Sequence, residues 1–212
     1  MKIDKLKNQI PKNITVVAVS KRKSNKEILE VYNKNHKDFG ENRVQELIIK
    51  YNDLPKDIRW HMIGKLQRNK VKFIAPFIHL IHSVDSYKLL LEIEKQAKKN
   101  QRVINILLQI KISNDESKSG LSFNETQDIL NNHEQVNIKI IGLMGMGSLD
   151  MNKNESEFVE ISNFYQKIKD RFNFKYLSLG MSGDYKLAIE NNSNMIRVGS
   201  LIFGGGKLVC TQ

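Results

Sequence analysis

Eight short apolar runs of strand character are separated by charged segments of helical spacing, and this alternation constrains the fold more than any other feature of the chain. The runs are "TVVAVS" (15–20), "KDFGE" (37–41), "WHMIG" (60–64), "LIHSV" (80–84), "NILLQIK" (105–111), "IIGLMGM" (140–146), "YLSLGM" (176–181) and "MIRVGS" (195–200). Between them lie segments such as "NKEILEVYNKN", "RVQELIIKYN", "SYKLLLEIEKQAKK", "NETQDILNN" and "ESEFVEISNFYQKIKDRF", in which apolar residues recur every three or four positions. Strand and helix in strict alternation imply right-handed parallel crossovers, hence an open doubly wound sheet or a closed barrel. Eight units favour the (β/α)8 barrel, a TIM-type α/β fold that commonly uses about this length as one domain. A doubly wound nucleotide fold would carry a glycine-rich turn after its first strand, and that turn reads "SKRKSNKE". With no Gly-, Pro- or Ser-rich linker and no shift of composition, residues 1–212 are expected to form a single domain.

Composition narrows the classes. The formal net charge is +11, which would suit an anionic partner, but the basic residues form no dense block and nucleic acid is not expected as a partner. The single cysteine, Cys210, permits neither an intrachain disulfide nor a cysteine metal cluster, as expected of a cytoplasmic protein. The opening "MKIDKLKNQIPKN" lacks the apolar core of a signal peptide, and no run approaches the roughly 18 apolar residues of a membrane helix. No membrane partner is expected.

In a barrel of this kind functional groups stand at the carboxyl ends of the strands. Those ends carry Ser20 and Lys21; Glu41, Asn42 and Arg43; Gly64 and Lys65; Ser83, Asp85 and Ser86; Lys111, with Glu116 and Lys118 in its loop; Gly145 and Gly147; Ser182, Gly183 and Asp184; and Gly199 and Ser200, with Arg197 inside the last strand. Lys21 ends a run of the kind buried on both faces of a sheet, so it either marks the boundary with water or offers a reactive amine. "GMSGD" and "RVGS" follow strands seven and eight, where barrels often hold a phosphate group, although Ser and Asp also favour helix N-caps. A reactive Lys21 facing a phosphate cradle across the mouth would suit a phosphorylated aldehyde, of which pyridoxal 5'-phosphate (PLP) is the commonest cofactor.

Seven motifs in order, "AVSK", "FGENRVQE", "WHMIGKLQRNK", "HSVDS", "ESKSG", "LSLGMSGDYKLAI" and "IRVGSLIFG", resemble those of the pyridoxal phosphate homeostasis proteins, whose barrel is similar to the N-terminal domain of alanine racemase. The resemblance implies that Lys21 carries PLP as an internal aldimine. It also places the cofactor phosphate near Ser182, Gly199 and Ser200, the pyridine nitrogen near Arg197, and Asn42 in the pocket wall. It implies a cytoplasmic carrier that buffers PLP and supplies PLP-dependent apoenzymes, with no catalytic residues. The alternative is a small amino-acid racemase, although the second domain that supplies a second base in alanine racemase is not expected after the eighth strand. An arginine at the ring nitrogen disfavours a pyridinium and weakens the ring as an electron sink.

The sequence departs from the family in three places: a short amino-terminal segment, so that the leading helix is expected to be reduced or missing; "LMGMGS" after strand six; and "FGGGKLVC" near the carboxyl end. His61 is a candidate for either the pocket or a hydrogen-bonded core position. His36, His79, His82 and His133 show no ligand spacing, so no metal site is expected. Lys65, Arg68, Lys70 and Lys72 read as the solvated face of a helix after strand three rather than an RNA surface. Glu41, Asp85, Glu116 and Asp184 show no paired spacing for acid/base work.

Overall fold

The computed structural model describes residues 3–204 apart from 114, 116, 117, 133 and 149, so Glu116, His133, Cys210 and the "GGKLVC" ending lie outside the described residues. Eight parallel strands close into a barrel in sequence order: β1 (Thr15–Val19), β2 (Asp38–Glu41), β3 (Arg59–Met62), β4 (Leu80–Val84), β5 (Ile104–Ile110), β6 (Ile138–Gly145), β7 (Tyr176–Ser178) and β8 (Met195–Val198). Every strand falls on one of the eight apolar runs. Closure comes from β8 pairing with β1, in the register Val17↔Arg197 and Ala18↔Val198. The helices are α1 (Ile3–Lys7), α2 (Asn25–Tyr32), α3 (Val44–Asp53), α4 (Val71–Ile74), α5 (Tyr87–Lys99), α6 (Phe123–Asn131), α7 (Asn154–Ile168), α8 (Tyr185–Glu190) and α9 (Ser200–Phe203). None of the described helices is long and apolar enough to cross a membrane.

The period-two alternation of each strand sorts its side chains into two layers. Val16, Ala18, Phe39, Trp60, Met62, Ile106 and Leu108 join the layer between barrel and helices, whereas Val17, Leu80, Leu107, Ile141, Met144 and Met195 form a smaller apolar cluster inside the barrel. Phe39 and Trp60 are almost fully buried in the outer layer. Truncating either to alanine is expected to cost about 3–5 kcal/mol. The leading helix is present but only 5 residues long, anchored by buried Ile3 and Leu6.

Local signals set where helices begin. Ser24 and Glu27 form a capping box at the start of α2, and Ser122 and Glu125 form another at α6, each satisfying amide donors that a helix start leaves free. The "SKRKSNKE" turn therefore spans only the few residues between the end of β1 and a firmly capped helix. The basic run after β3 does not build a long helix: Arg68–Lys70 is a 3-10 turn and α4 has 4 residues, with Lys65, Arg68 and Lys72 exposed.

Candidate functional site

Lys21 leaves the barrel over a buried ionic cluster. The Ser20 hydroxyl donates to Glu41 Oε1 at 2.6 Å, and Lys50 Nζ, from α3, donates to Ser20 O at 2.7 Å, Glu41 Oε1 at 2.7 Å and Glu46 Oε1 at 2.6 Å. The Arg22 amide donates to the same Glu46 oxygen at 2.5 Å, with Arg22 held at φ 58°. Burial pushes the Glu41 carboxyl up, against the opposing bonds from Lys50 and Ser20. These contacts fix the backbone on both sides of Lys21. The Lys21 side chain is exposed, and its amine makes no hydrogen bond or ion pair among the described residues. Its neighbour Lys23, by contrast, pairs with Glu27 at 3.0 Å. Glu41 thus supports the loop from outside the barrel.

The ends of β7 and β8 meet beside it. Gly180 adopts φ +88°, and a Cβ there would lie 2.6 Å from the Ala188 Cβ, so this turn excludes other residues. Asp184 folds its carboxylate back, accepting from the Met181 amide at 2.5 Å and from Asn154 Nδ2 at 3.2 Å. It makes no side-chain cap on α8, and α9 has no side-chain cap either. Asp184 and Gly199 thus stand at the N-cap positions of α8 and α9 that "MSGD" and "GS" suggest, without the side-chain cap bond. Ser182 Oγ instead accepts from the Gly199 amide at 3.3 Å, tying the two loops together, while Ser200, first in α9, is exposed. Because β8 pairs with β1, these groups stand next to Lys21 and not across the mouth from it; a Cβ on Gly199 would lie 3.1 Å from Val19 O.

Arg197 is 4% exposed and points into the barrel. Its Nη1 donates to Ser178 O at 2.8 Å and Ser178 Oγ at 2.7 Å, and Nη2 donates to Gly145 O at 2.9 Å. Its Nε–H has no acceptor among the described residues. Burial pulls the guanidinium down to about 10, partly offset by the more distant Asp184. It remains a cation at neutral pH whose direct partners are all uncharged.

The other wall is built by close approach. A Cβ on Gly64 would lie 2.4 Å from Asn42 O, so glycine lets the end of β3 press against the half-buried Asn42. Lys111 is exposed, whereas Lys118 bonds Gly147 O and pairs with Asp115 at 3.1 Å. Ser148, next to Gly147, donates from its amide and hydroxyl to the Glu157 carboxylate.

His61 takes the hydrogen-bonded core position and not the pocket. Inside the barrel its Nδ1 lies 2.9 Å from His82 Nε2 and its Nε2 lies 3.2 Å from Asp38 Oδ1, while His82 Nδ1 lies 3.3 Å from Ser178 Oγ. Arg59 Nε and Nη2 donate to both Asp38 oxygens at 2.6 and 2.5 Å. Burial pushes the Asp38 carboxyl up, but the bonds from Arg59 and His61 outweigh it and hold the group well below the carboxylate range. Burial, with help from the Arg197 cation, keeps His82 well below the usual imidazole value. His79 joins this group from the surface, with ring or carboxylate atoms of Asp38, His61 and His79 all within 4.8 Å. Arg59 already engages both oxygens of that carboxylate.

Comparison with known proteins matches this geometry to a family. The alanine racemase N-terminal domain model matches residues 2–207. The pyridoxal phosphate homeostasis protein of Helicobacter pylori strain J99 is 38% identical over 199 residues, covering 90% of this chain and 87% of its own length. That of Aquifex aeolicus is 36% identical over 186 residues, covering 85% and 82%. The chain belongs to the pyridoxal phosphate homeostasis protein family.

PipY of Synechococcus elongatus PCC7942, solved with PLP bound, superposes with a TM-score of 0.87 at 32% identity, covering 95% of this chain and 98% of PipY. An alanine racemase from Clostridium difficile superposes at 0.76 over 98% of this chain and 56% of its own, but at 14% identity it shares only the fold. Within this homeostasis-protein barrel, Lys21, Asn42, Ser182, Arg197, Gly199 and Ser200, the residues to which the sequence points, all lie at or below one mouth. The sequence does not point to Lys50, Ser178 or the inward role of His82. For Lys50 a signal existed, the i,i+4 spacing from Glu46; for the other two there was none short of strand pairing.

Proposed function

We propose that this barrel, acting as a single domain, binds PLP at its carboxyl-terminal mouth and serves as a non-catalytic cytoplasmic carrier that buffers the cofactor and supplies it to apoenzymes. One observation carries the reading. Among the described residues the Lys21 amine has no partner, and it follows the strand paired with the one that buries Arg197, whose Nε–H likewise has no acceptor among them. When bound, PLP supplies an aldehyde that condenses with a primary amine and releases water. Lys21 offers that amine on a backbone clamped by Ser20, Glu41 and Lys50. Ser182 and Ser200 offer hydroxyl groups to the phosphate, Gly199 ties their two loops together there through its bond to Ser182, and Asn42 closes the wall.

Arg197 separates the carrier from an enzyme. A guanidinium donates a hydrogen bond to a ring nitrogen while disfavouring its protonation, so the ring withdraws electrons less strongly than one paired with a carboxylate. The names of the relatives and the PLP-bound PipY support the cofactor and the homeostasis role. The test adds PLP to purified protein, reduces with borohydride and maps the adduct by mass spectrometry. The adduct is expected on Lys21 and lost in Lys21→Ala; an unchanged adduct elsewhere refutes the site. Deuterium exchange at the α-carbon of alanine should be negligible. Exchange at the roughly 1–1,000 per second of ordinary enzymes would overturn the carrier.

A further inference from the structure

The cofactor reading leaves unused a line of polar groups crossing the barrel interior: Asp38, His61, His82 and Ser178, ending on Arg197. The polarity of this line is fixed at its ends. Asp38, bonded twice to Arg59, only accepts, and Arg197 only donates. His61 must therefore carry hydrogen on Nε2, because a bare Nε2 would set two lone pairs face to face at 3.2 Å. A neutral His61 then presents a bare Nδ1 to His82, which must carry hydrogen on its own Nε2, 2.9 Å away. His82 Nδ1 is left bare and accepts from the Ser178 hydroxyl, whose oxygen keeps its lone pairs for Arg197 Nη1 at 2.7 Å. Each intermediate group donates once and accepts once along the line. Reversal would leave the Ser178 hydrogen without an acceptor among the described residues.

We propose that His82, oriented by His61 and Asp38, is a positioning residue for Arg197: by taking the Ser178 hydrogen it turns the serine oxygen toward the guanidinium and holds it with its Nε–H free. Resting on the assignment of Arg197 to the cofactor's ring nitrogen, the proposal adds a reason for a buried cation without a direct counter-ion to stay in one place. Charged and titratable groups around the line are Arg59 and His79 beside Asp38 and His61, His36 through the Asp38 carbonyl, and Asp184 toward Arg197. Doubly protonating His82 would make Nδ1 a donor and break the arrangement.

The first test uses the cofactor-free protein. Nitrogen-15 NMR of the imidazoles should show both His61 and His82 as neutral Nε2–H tautomers at neutral pH; an Nδ1–H tautomer or a charged ring at either position overturns the proposal. The second compares H82N, whose amide oxygen can replace Nδ1 as acceptor, with H82L, which cannot accept. Hydrogen exchange of the Arg197 side chain should rise about five- to tenfold in H82L, as loss of one neutral hydrogen bond implies, and stay near wild type in H82N. Equal exchange in both variants would reduce His82 to packing. PLP retention should follow the same order. A wild type that shows the tautomers and the exchange difference but takes up no PLP would refute the cofactor reading while leaving the positioning of Arg197 intact.

Discussion

The two mouths of the barrel handle charge in opposite ways. At the amino-terminal mouth Asp38 holds Arg59 and His61, Lys37 pairs with Asp57, and Lys34 pairs with Asp4. At the carboxyl-terminal mouth the strong bonds of Ser20, Glu41 and Lys50 lie beneath the surface, whereas among the described residues the Lys21 amine above them has no partner and Arg197 Nε–H no acceptor. Saturated donors stabilise but cannot engage a ligand without losing what they already hold. Free donors held by saturated ones can. The contrast agrees with the general division of (β/α)8 barrels into a stabilising and a functional face.

The largest expected effect tests the supports beneath the carboxyl-terminal mouth. Lys50→Met leaves the fully buried Glu41 carboxylate without its cation and should cost about 3–5 kcal/mol in urea melts, because breaking a buried pair strands a charge. If the loss were below about 1 kcal/mol, the cluster would not be the clamp described here.

Next is acid. At the amino-terminal mouth burial pulls His36 down to about 4, so the unfolded chain binds its proton first as pH falls through about 6.5. Stability is therefore lost between pH 6.5 and 4, by about 3 kcal/mol from His36, with the lowered His79 and His82 adding in the same direction and the raised Glu41 opposing. His36→Gln should flatten that slope in melts at pH 7 and 4.5. An unchanged slope would show that His36 contributes nothing and leave His79 and His82 as its source.

Gly180→Ala forces a Cβ to 2.6 Å from Ala188 at a positive φ and should cost about 1–3 kcal/mol, together with weaker PLP retention from a displaced Ser182. Arg59→Leu removes an ion pair whose arginine is 48% exposed, so about 1 kcal/mol is expected, falling further at high salt. Smallest is Lys21→Ala, within about 0.5 kcal/mol of wild type by thermal melt, since the exposed side chain bonds no partner among the described residues. A large loss of stability there would erase the distinction between free and saturated donors.

The barrel was legible because period and length are local properties. Each run had the composition of a short buried strand, and eight such runs leave little choice of topology. The expected runs overshot several strand ends, for example 176–181 against Tyr176–Ser178, because small and apolar residues continue into the mouth loops that they shape. Lys21 and Arg197 were likewise visible as strand-end residues in recognisable motifs. His61 stayed ambiguous for the opposite reason. Its partner His82 lies 21 residues away, and the next link, from His82 to Ser178, spans 96.

What the sequence determined by itself was which residues alternate in and out of each strand, where the helices are capped, and which end of the barrel collects polar groups. Hydrophobic period and capping chemistry act over a few residues, so they are written in contiguous sequence. Tertiary structure alone decided that β8 closes on β1, which sets the "RVGS" loop beside Lys21, and that Lys50 reaches back under that loop. It alone also joined Asp38, His61, His82, Ser178 and Arg197 into one line through the barrel. Hydrogen-bond partners are selected by distances of about 3 Å in space, and for residues drawn from five different strands that proximity exists only once the sheet has closed.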